Sequence, residues 1–240
     1  MKLNLETLNT CGQSAFTEAL GGIYEHSPWV AERAFALRPF ATVEALTDAM
    51  AGAVAAASHE EKLALVRAHP DLAGKAARAG ALTAASKTEQ GALGLDRLSH
   101  EEYARFERLN RAYAEKFGFP FVICVRRQTR DAILAAFERR LENDTEQELA
   151  TALTEINHIA RLRITQFIEG PGMPKTEGRL STHVLDTHAG RPAAGIKIEL
   201  YEIGASAASL IAEAMTNADG RTDKPLLSGQ PLRVGRYELR

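Results

Sequence analysis

Hydrophobic positions follow two different periods along this chain. In residues 1–168 the apolar residues recur every three or four positions, and the helix-forming residues alanine, leucine, glutamate and arginine are abundant. After Gly178 the period becomes two, because Ile196, Ile198 and Leu200 alternate with charged residues. The pattern predicts an all-α helical bundle followed by a segment of β-strands.

Local signals predict where several helices begin and end. Ser58 and Glu61 have the spacing of a capping box, and the same arrangement recurs at Ser99. The helix after Ser58 must end near His69, because a residue before proline is pushed out of the α conformation. Further helices are predicted over residues 43–57, 100–117, 129–141 and 145–167.

The second part of the chain carries turn and strand signals. Leu180–Asp186 is predicted to be a strand that ends in a turn, and Tyr237–Leu239 another. Asn217–Gly220 has the composition of a turn. With the glycine- and proline-rich stretch after residue 169 as a linker, three parts are predicted: residues 1–168, 169–177 and 178–240.

Composition excludes several classes of function. The formal charge is -2 and the pI about 6.4, so we expect no nucleic-acid partner and no attraction to an anionic membrane. Two cysteines form neither a disulfide framework nor a four-ligand zinc site. No apolar run reaches the roughly 18 residues that span a bilayer, and the N-terminus has no secretion signal. A cytoplasmic location is predicted.

Two short motifs in the helical part contain groups suited to chemistry. His69-Pro70-Asp71 places an imidazole at a helix end, where it either transfers protons near neutral pH or only complements the helix dipole. Ser86 to Gln90 contains a hydroxyl, an amide and the carboxylate of Glu89. The second motif is either a further capping box or the binding point of an anionic ligand.

Two more motifs follow in the same part of the chain. Phe117–Val125 is too apolar for a surface loop, so it is either plain core or a buried extended segment whose backbone faces a cavity. Arg163, near the end of the last helix, is either a surface charge or a two-point clamp for a carboxylate.

Taken together and in this order, the four motifs resemble the decarboxylases of 2-oxo-4-hydroxy-4-carboxy-5-ureidoimidazoline (OHCU). The resemblance covers residues 1–168 and implies an all-α enzyme that converts OHCU to (S)-allantoin in urate degradation. It implies that His69 is the catalytic acid/base, with Glu89 orienting or sharing the proton. It also implies a substrate pocket formed by Pro70, Ser86, Gln90, Phe121, Val122, Ile123, Cys124, Val125 and Arg163.

The chemistry that this resemblance implies is compatible with these residue types. Electrons left by CO2 can move into the C=N and C=O system of the ring, so we expect neither a cofactor nor a metal. Arg163 would hold a carboxylate or a carbonyl of OHCU, and Gln90 would bind the amides. Members of the family often form dimers, so a homodimer through the helical part is expected.

The β segment is similar to 5-hydroxyisourate hydrolases of the transthyretin-like family. The similarity rests on the motif from Gly178 to Thr187 and on the turn at Asn217, and it implies site roles for His183 and Arg221. The family's second histidine and its Tyr-Arg-Gly-Ser motif are not in this sequence. The segment is also shorter than the roughly 100 residues of a seven-stranded sandwich. We therefore predict a partial β-sandwich with little hydrolase activity.

Two other functions are compatible with the same sequence. The chain is either a bifunctional protein whose second part hydrolyses 5-hydroxyisourate to OHCU, or a helical scaffold with a β module that binds a partner. A scaffold does not require His69, Ser86, Glu89 and Arg163 to lie together. The distances between these side chains therefore distinguish the enzyme from the scaffold.

Overall fold

The computed structural model describes residues 2–72, 83–91, 99–205 and 207–240. The chain divides into two compact units. The first unit contains residues 1–124 and 136–175, and the second contains residues 125–135 and 176–240. Within the described ranges, no helix combines the length and the apolar character needed to cross a bilayer.

Helices make up most of the first unit, in agreement with the predicted all-α part. Two short strands come from near the start and near the end of this unit and pair in parallel, β1 (Leu3–Asn4) and β2 (Ile168–Glu169). The described helices are α1 (Leu5–Thr10), α2 (Gln13–Leu20), α3 (Trp29–Phe35), α4 (Val43–Ala55), α5 (His59–Arg67), α6 (Ala84–Gly91), α7 (His100–Phe117), α8 (Arg130–Arg140) and α9 (Thr145–Phe167).

Both predicted capping boxes are present. The Ser58 hydroxyl accepts from the Glu61 amide at 3.2 Å, and the Glu61 carboxylate accepts from the Ser58 amide at 2.8 Å. Ser99 and Glu102 form the same pair at the start of α7. Helix α5 ends at Arg67, as the proline at position 70 predicts. Sequence-local signals therefore define how α5 and α7 begin.

The core of the first unit forms around α9. This helix packs on α4 and α5, and it buries Ile156, Ala160 and Ile164 on one face. Residues Phe121–Val125, which lead into the 3₁₀ turn Val125–Arg127, are buried, as predicted: each is at most 6% exposed. This segment lies deep among aromatic side chains, with the Phe121 and Phe137 rings stacked at 3.6 Å.

Antiparallel pairing dominates the strands of the second unit. Its three-stranded sheet has the order β6-β5-β7, formed by Lys197–Ile203 (β5), Ala208–Met215 (β6) and Tyr237–Leu239 (β7). A separate pair consists of Leu185–Asp186 (β3) and Arg191–Pro192 (β4). Ile198 and Leu200 form a small core with Leu226, which confirms the predicted alternation in β5.

Two strand predictions need correction, and one strand was missed. The predicted strand over residues 180–186 is reduced to β3, and the residues before it form only isolated bridges at Leu180 and His183. Ile196 lies before β5 and is 42% exposed, so it does not join the alternating buried face. Strand β6 was not predicted at all. Its alanine- and leucine-rich sequence favours helix, and pairing with β5 overrides that preference.

Candidate active site

His69 lies two residues after the end of α5, beyond the C-cap Ala68. Its backbone N–H donates to the Val66 carbonyl at 3.1 Å, and its ring Nδ1 lies 3.0 Å from the Leu65 carbonyl oxygen. A carbonyl oxygen only accepts hydrogen bonds, so Nδ1 carries the hydrogen of the neutral ring. The other ring nitrogen, Nε2, is then the acceptor. Because the side chain is only 8% exposed, Nε2 is a shielded base.

The surroundings of His69 favour its neutral form. Burial lowers the pKa of His69 to about 4 from its ordinary 6.5. The bond to the Leu65 carbonyl and the charge of Glu25 act in the opposite direction, while Arg163 and His26 add to the lowering. At neutral pH the ring is therefore uncharged, and it is suited to accept a proton rather than to donate one.

Arg163 is the centre of a buried ion network. Its Nε and Nη2 each donate at 2.9 Å to one oxygen of Glu89, which is the two-point geometry predicted for a carboxylate clamp. The carboxylate in the clamp belongs to the protein itself. Nη1 donates to Glu25 at 2.9 Å and to the Ile23 carbonyl at 3.3 Å. Burial alone would lower the pKa of Arg163, but the two carboxylates raise it above its ordinary value.

Glu25 is a site residue that the sequence analysis missed. It is 3% exposed and accepts from the Thr83 hydroxyl at 2.6 Å, from the Ser86 hydroxyl at 3.2 Å and from Arg163. Burial alone would raise the pKa of Glu25, but the bonds from Thr83 and Arg163 hold it below its usual range. The next residue, His26, has a φ of 47°, so the chain turns sharply after Glu25.

Ser86 does not cap a helix, contrary to one interpretation of its motif. Helix α6 begins at Ala84, and the Thr83 hydroxyl accepts from the Ser86 amide at 3.3 Å. Ser86 therefore lies within the first turn, and its buried hydroxyl is free to bond with Glu25. The side chain of Gln90 lies outside the described residues. Pro70 is half-buried beside His69.

Backbone groups of Phe121–Val125 are bonded within the protein. The Cys124 amide donates to Glu155 at 2.8 Å, and the Val122 carbonyl accepts from Nη1 of Arg140 at 2.9 Å. Arg140 is itself buried and paired with Glu148, a carboxylate that is not exposed to solvent. These two backbone groups therefore stabilise the segment, and the substrate contacts predicted for it remain predictions.

The structure brings most of the predicted catalytic set together in the first unit. Ser86, Glu89 and Arg163 are joined directly by hydrogen bonds, and His69 lies within the electrostatic influence of Glu25 and Arg163. In the second unit, His183 and Arg221 face each other in an antiparallel bridge, and both are exposed. The arrangement in the first unit favours an enzyme over a scaffold.

Comparisons with known proteins match both parts of the chain. The OHCU decarboxylase family model matches residues 9–165, and the HIUase/Transthyretin family model matches residues 180–240. The chain is 47% identical over 165 residues to the 2-oxo-4-hydroxy-4-carboxy-5-ureidoimidazoline decarboxylase of Haloferax volcanii. That match covers 69% of this chain and 96% of the relative.

Two further matches extend beyond the decarboxylase part. The uric acid degradation bifunctional protein PucL of Bacillus subtilis is 38% identical over 177 residues, which is 74% of this chain and 35% of that protein. A crystal structure of (S)-allantoin synthase is 34% identical and has a TM-score of 0.56. That match covers 99% of this chain and 80% of the solved one.

Proposed function

Because this chain belongs to the OHCU decarboxylase family, with a transthyretin-like segment after the decarboxylase part, we propose that it converts OHCU to (S)-allantoin and CO2. The observation that carries the proposal is the buried network of Glu25, Arg163 and Glu89 beside a neutral His69. The network supplies a cation that pairs with carboxylates, and His69 supplies a proton acceptor. Decarboxylation of an anionic ring uses both.

The reaction moves electrons within the substrate ring. The bond from ring carbon C4 to the carboxylate breaks, its electron pair forms a C4=C5 bond, and the former C5=N nitrogen takes a proton. The 4-hydroxyl then loses its proton as C4 becomes a carbonyl, and C5 takes a proton on one face. The protein's part is therefore to hold the ring and to move protons.

In this scheme His69 is the residue that handles the 4-hydroxyl proton. Its Nε2 accepts the proton, and the imidazolium returns it to C5 on the face where it lies, which sets the S configuration. The Nδ1–H bond to the Leu65 carbonyl supports this role because it fixes both the ring and its tautomer. Glu89 orients or shares the proton, and Arg163 binds a carboxylate.

The remaining site residues have binding roles in the proposal. Pro70, Ser86, Gln90, Arg163 and the 121–125 segment contact OHCU. Ser86 forms hydrogen bonds with both Glu25 and Arg163, which supports its place in the proposed substrate site. A homodimer formed through the helical unit and a cytoplasmic location complete the proposal.

A coupled assay tests the proposed activity. Urate is oxidised to 5-hydroxyisourate, a separate hydrolase supplies OHCU, and circular dichroism follows the formation of optically active allantoin. We expect this protein to accelerate the dichroic signal only when the separate hydrolase is present. If allantoin forms at the spontaneous rate and without optical activity, the chain is not an OHCU decarboxylase.

A further inference from the structure

Arg163 is saturated with hydrogen-bond acceptors from its own protein. Its five N–H donors face both oxygens of Glu89, one oxygen of Glu25, the Ile23 carbonyl and the Ser86 hydroxyl, the last at 3.5 Å. No donor is left for an anionic substrate. One of these acceptors must leave before Arg163 can bind a carboxylate in two-point geometry.

The two carboxylates on Arg163 are held very differently. Glu25 has a side chain that is 2% exposed, and three side chains donate to it: Thr83, Ser86 and Arg163. The side chain of Glu89 is 14% exposed, and its described hydrogen bonds go to Arg163 alone. Displacing Glu25 would take the carboxylate acceptor away from two hydroxyls and from Arg163, whereas displacing Glu89 only opens one edge of the guanidinium.

The charges point to the same carboxylate. One guanidinium and two carboxylates give the network a net charge of -1, and His69 adds nothing while it is neutral. An anionic ligand that joined this network without displacing a carboxylate would place three negative groups around one cation. A ligand that replaces Glu89 keeps the balance unchanged, since one carboxylate leaves Arg163 as another arrives.

We propose that Arg163 has one permanent and one exchangeable carboxylate partner: Glu25 is a positioning residue that stays bound, and the substrate carboxylate displaces Glu89 from Nε and Nη2. The proposal rests on the proposed function and adds how the substrate enters. The released Glu89 carboxylate turns towards the reacting ring, where it can share the proton with His69. Binding of the substrate thereby prepares the base.

Ligand binding tests the exchange without requiring turnover. The probe is hydantoin-5-acetate, whose carboxylate is separated from the ring by a methylene group and is not lost as CO2, and calorimetry measures its Kd. In Glu89→Gln the probe no longer competes with a charged group, so we expect about tenfold tighter binding. For the proposed activity the same variant should lose about 100-fold in kcat, because the proton-sharing carboxylate is gone.

A matched variant separates exchange from a general change in charge. Glu44 pairs with Arg161, which lies on α9 two residues before Arg163. Glu44→Gln removes the same charge from a neighbouring arginine, and we expect the Kd of the probe to stay within twofold of wild type. Equal tightening in both variants, or no tightening in Glu89→Gln, would overturn the proposal. The neutral product allantoin should bind equally to all three proteins.

A structure of the wild-type protein with hydantoin-5-acetate gives a second, independent readout. The exchange predicts that the probe's carboxylate binds Nε and Nη2 of Arg163. Glu89 should then be released from Arg163, while Glu25 stays bound to Nη1. A complex in which Glu89 keeps both bonds to Arg163 contradicts it. These tests use an unreactive probe, so their outcome does not depend on turnover. Failure of the coupled assay would reject the proposed activity but not the exchange at Arg163.

Discussion

At the scale of single residues, the proposed chemistry depends on a histidine that burial keeps neutral among charged side chains. His69 is close enough to Glu25 and Arg163 for both charges to influence its pKa, yet burial dominates. A neutral base with a fixed tautomer accepts a proton without first losing one. Glu25 raises the pKa of His69 and Arg163 lowers it, so removing either one changes the imidazole as well as the ion network.

Replacing His69 by Asn should remove most of the catalytic rate. We expect kcat to fall by about 10² to 10⁴, the usual contribution of a general base, with the fold intact. The coupled assay gives kcat, and far-ultraviolet circular dichroism checks the fold. His188→Asn, which changes an exposed histidine of the second unit, serves as the control and should keep full activity. Near-normal turnover in His69→Asn would exclude His69 as the base.

His69 should also make the protein sensitive to acid. Its folded pKa of about 4 lies below the ordinary 6.5, so the unfolded chain binds more protons between these values. Stability is full above pH 6.5, falls as the pH drops towards 4, and loses about 3 kcal/mol from this residue at most. Glu25, Arg163 and His26 face the ring and set the window.

Urea unfolding measures this contribution as a difference. Wild type and His69→Asn are each unfolded at pH 7 and at pH 4.5, and the wild type should lose about 2 to 3 kcal/mol more between the two. Carboxylates that do not interact with His69 affect both proteins alike and cancel in the comparison. Equal losses would mean that the imidazole is protonated in the folded protein.

At the scale of elements, the sequence predicts features that depend on neighbouring residues but not contacts between residues far apart in the chain. The capping box at Ser58 involves residues three apart, so the sequence alone predicted it. Glu25 has partners that are 58, 61 and 138 residues away, and no periodicity in its own neighbourhood reveals them. For the same reason the sequence leaves the Ser86 motif open between a capping box and a binding point, whereas in the structure Thr83 caps the helix start and Glu25 accepts from the Ser86 hydroxyl.

The cap of α5 gives a prediction at this scale. Ser58→Ala removes the acceptor for the Glu61 amide, and we expect a loss of about 1 kcal/mol in the free energy of unfolding. Ser58→Asp keeps an acceptor at the N-cap and should retain wild-type stability. Urea unfolding compares the three proteins. Since the cap lies at the opposite end of α5 from His69, kcat should be unchanged in both variants.

At the scale of the whole molecule, the two units differ in how completely they present a site. The first unit encloses a network of buried charged side chains, whereas His183 and Arg221 of the second are exposed and pair in an isolated antiparallel bridge. The family resemblance identified both units from sequence, because ordered motifs survive where single residues are ambiguous. The grouping of residues 125–135 with the second unit had no such signal.

This contrast predicts one activity rather than two. With 5-hydroxyisourate as substrate and no separate hydrolase, we expect its decay, followed by ultraviolet absorbance, to match the spontaneous rate. His183→Asn should leave that rate unchanged. Decay that is faster than spontaneous and that is lost in His183→Asn would instead assign hydrolysis to the second unit.

The bond between the His69 ring and the Leu65 carbonyl has one more consequence. In an uninterrupted helix that carbonyl would receive the backbone N–H of residue 69, which here turns to Val66 instead. The imidazole thus supplies the donor that the last turn of its own helix lacks. The helix ends before Pro70, which leaves the Leu65 carbonyl without its usual backbone donor. In the proposed mechanism, the hydrogen bond that completes the helix also fixes the tautomer of the imidazole. Asparagine can still donate a hydrogen bond to Leu65 but cannot act as the base, whereas alanine can do neither. Comparing the two variants therefore separates the contribution of His69 to the helix from its proposed role in turnover.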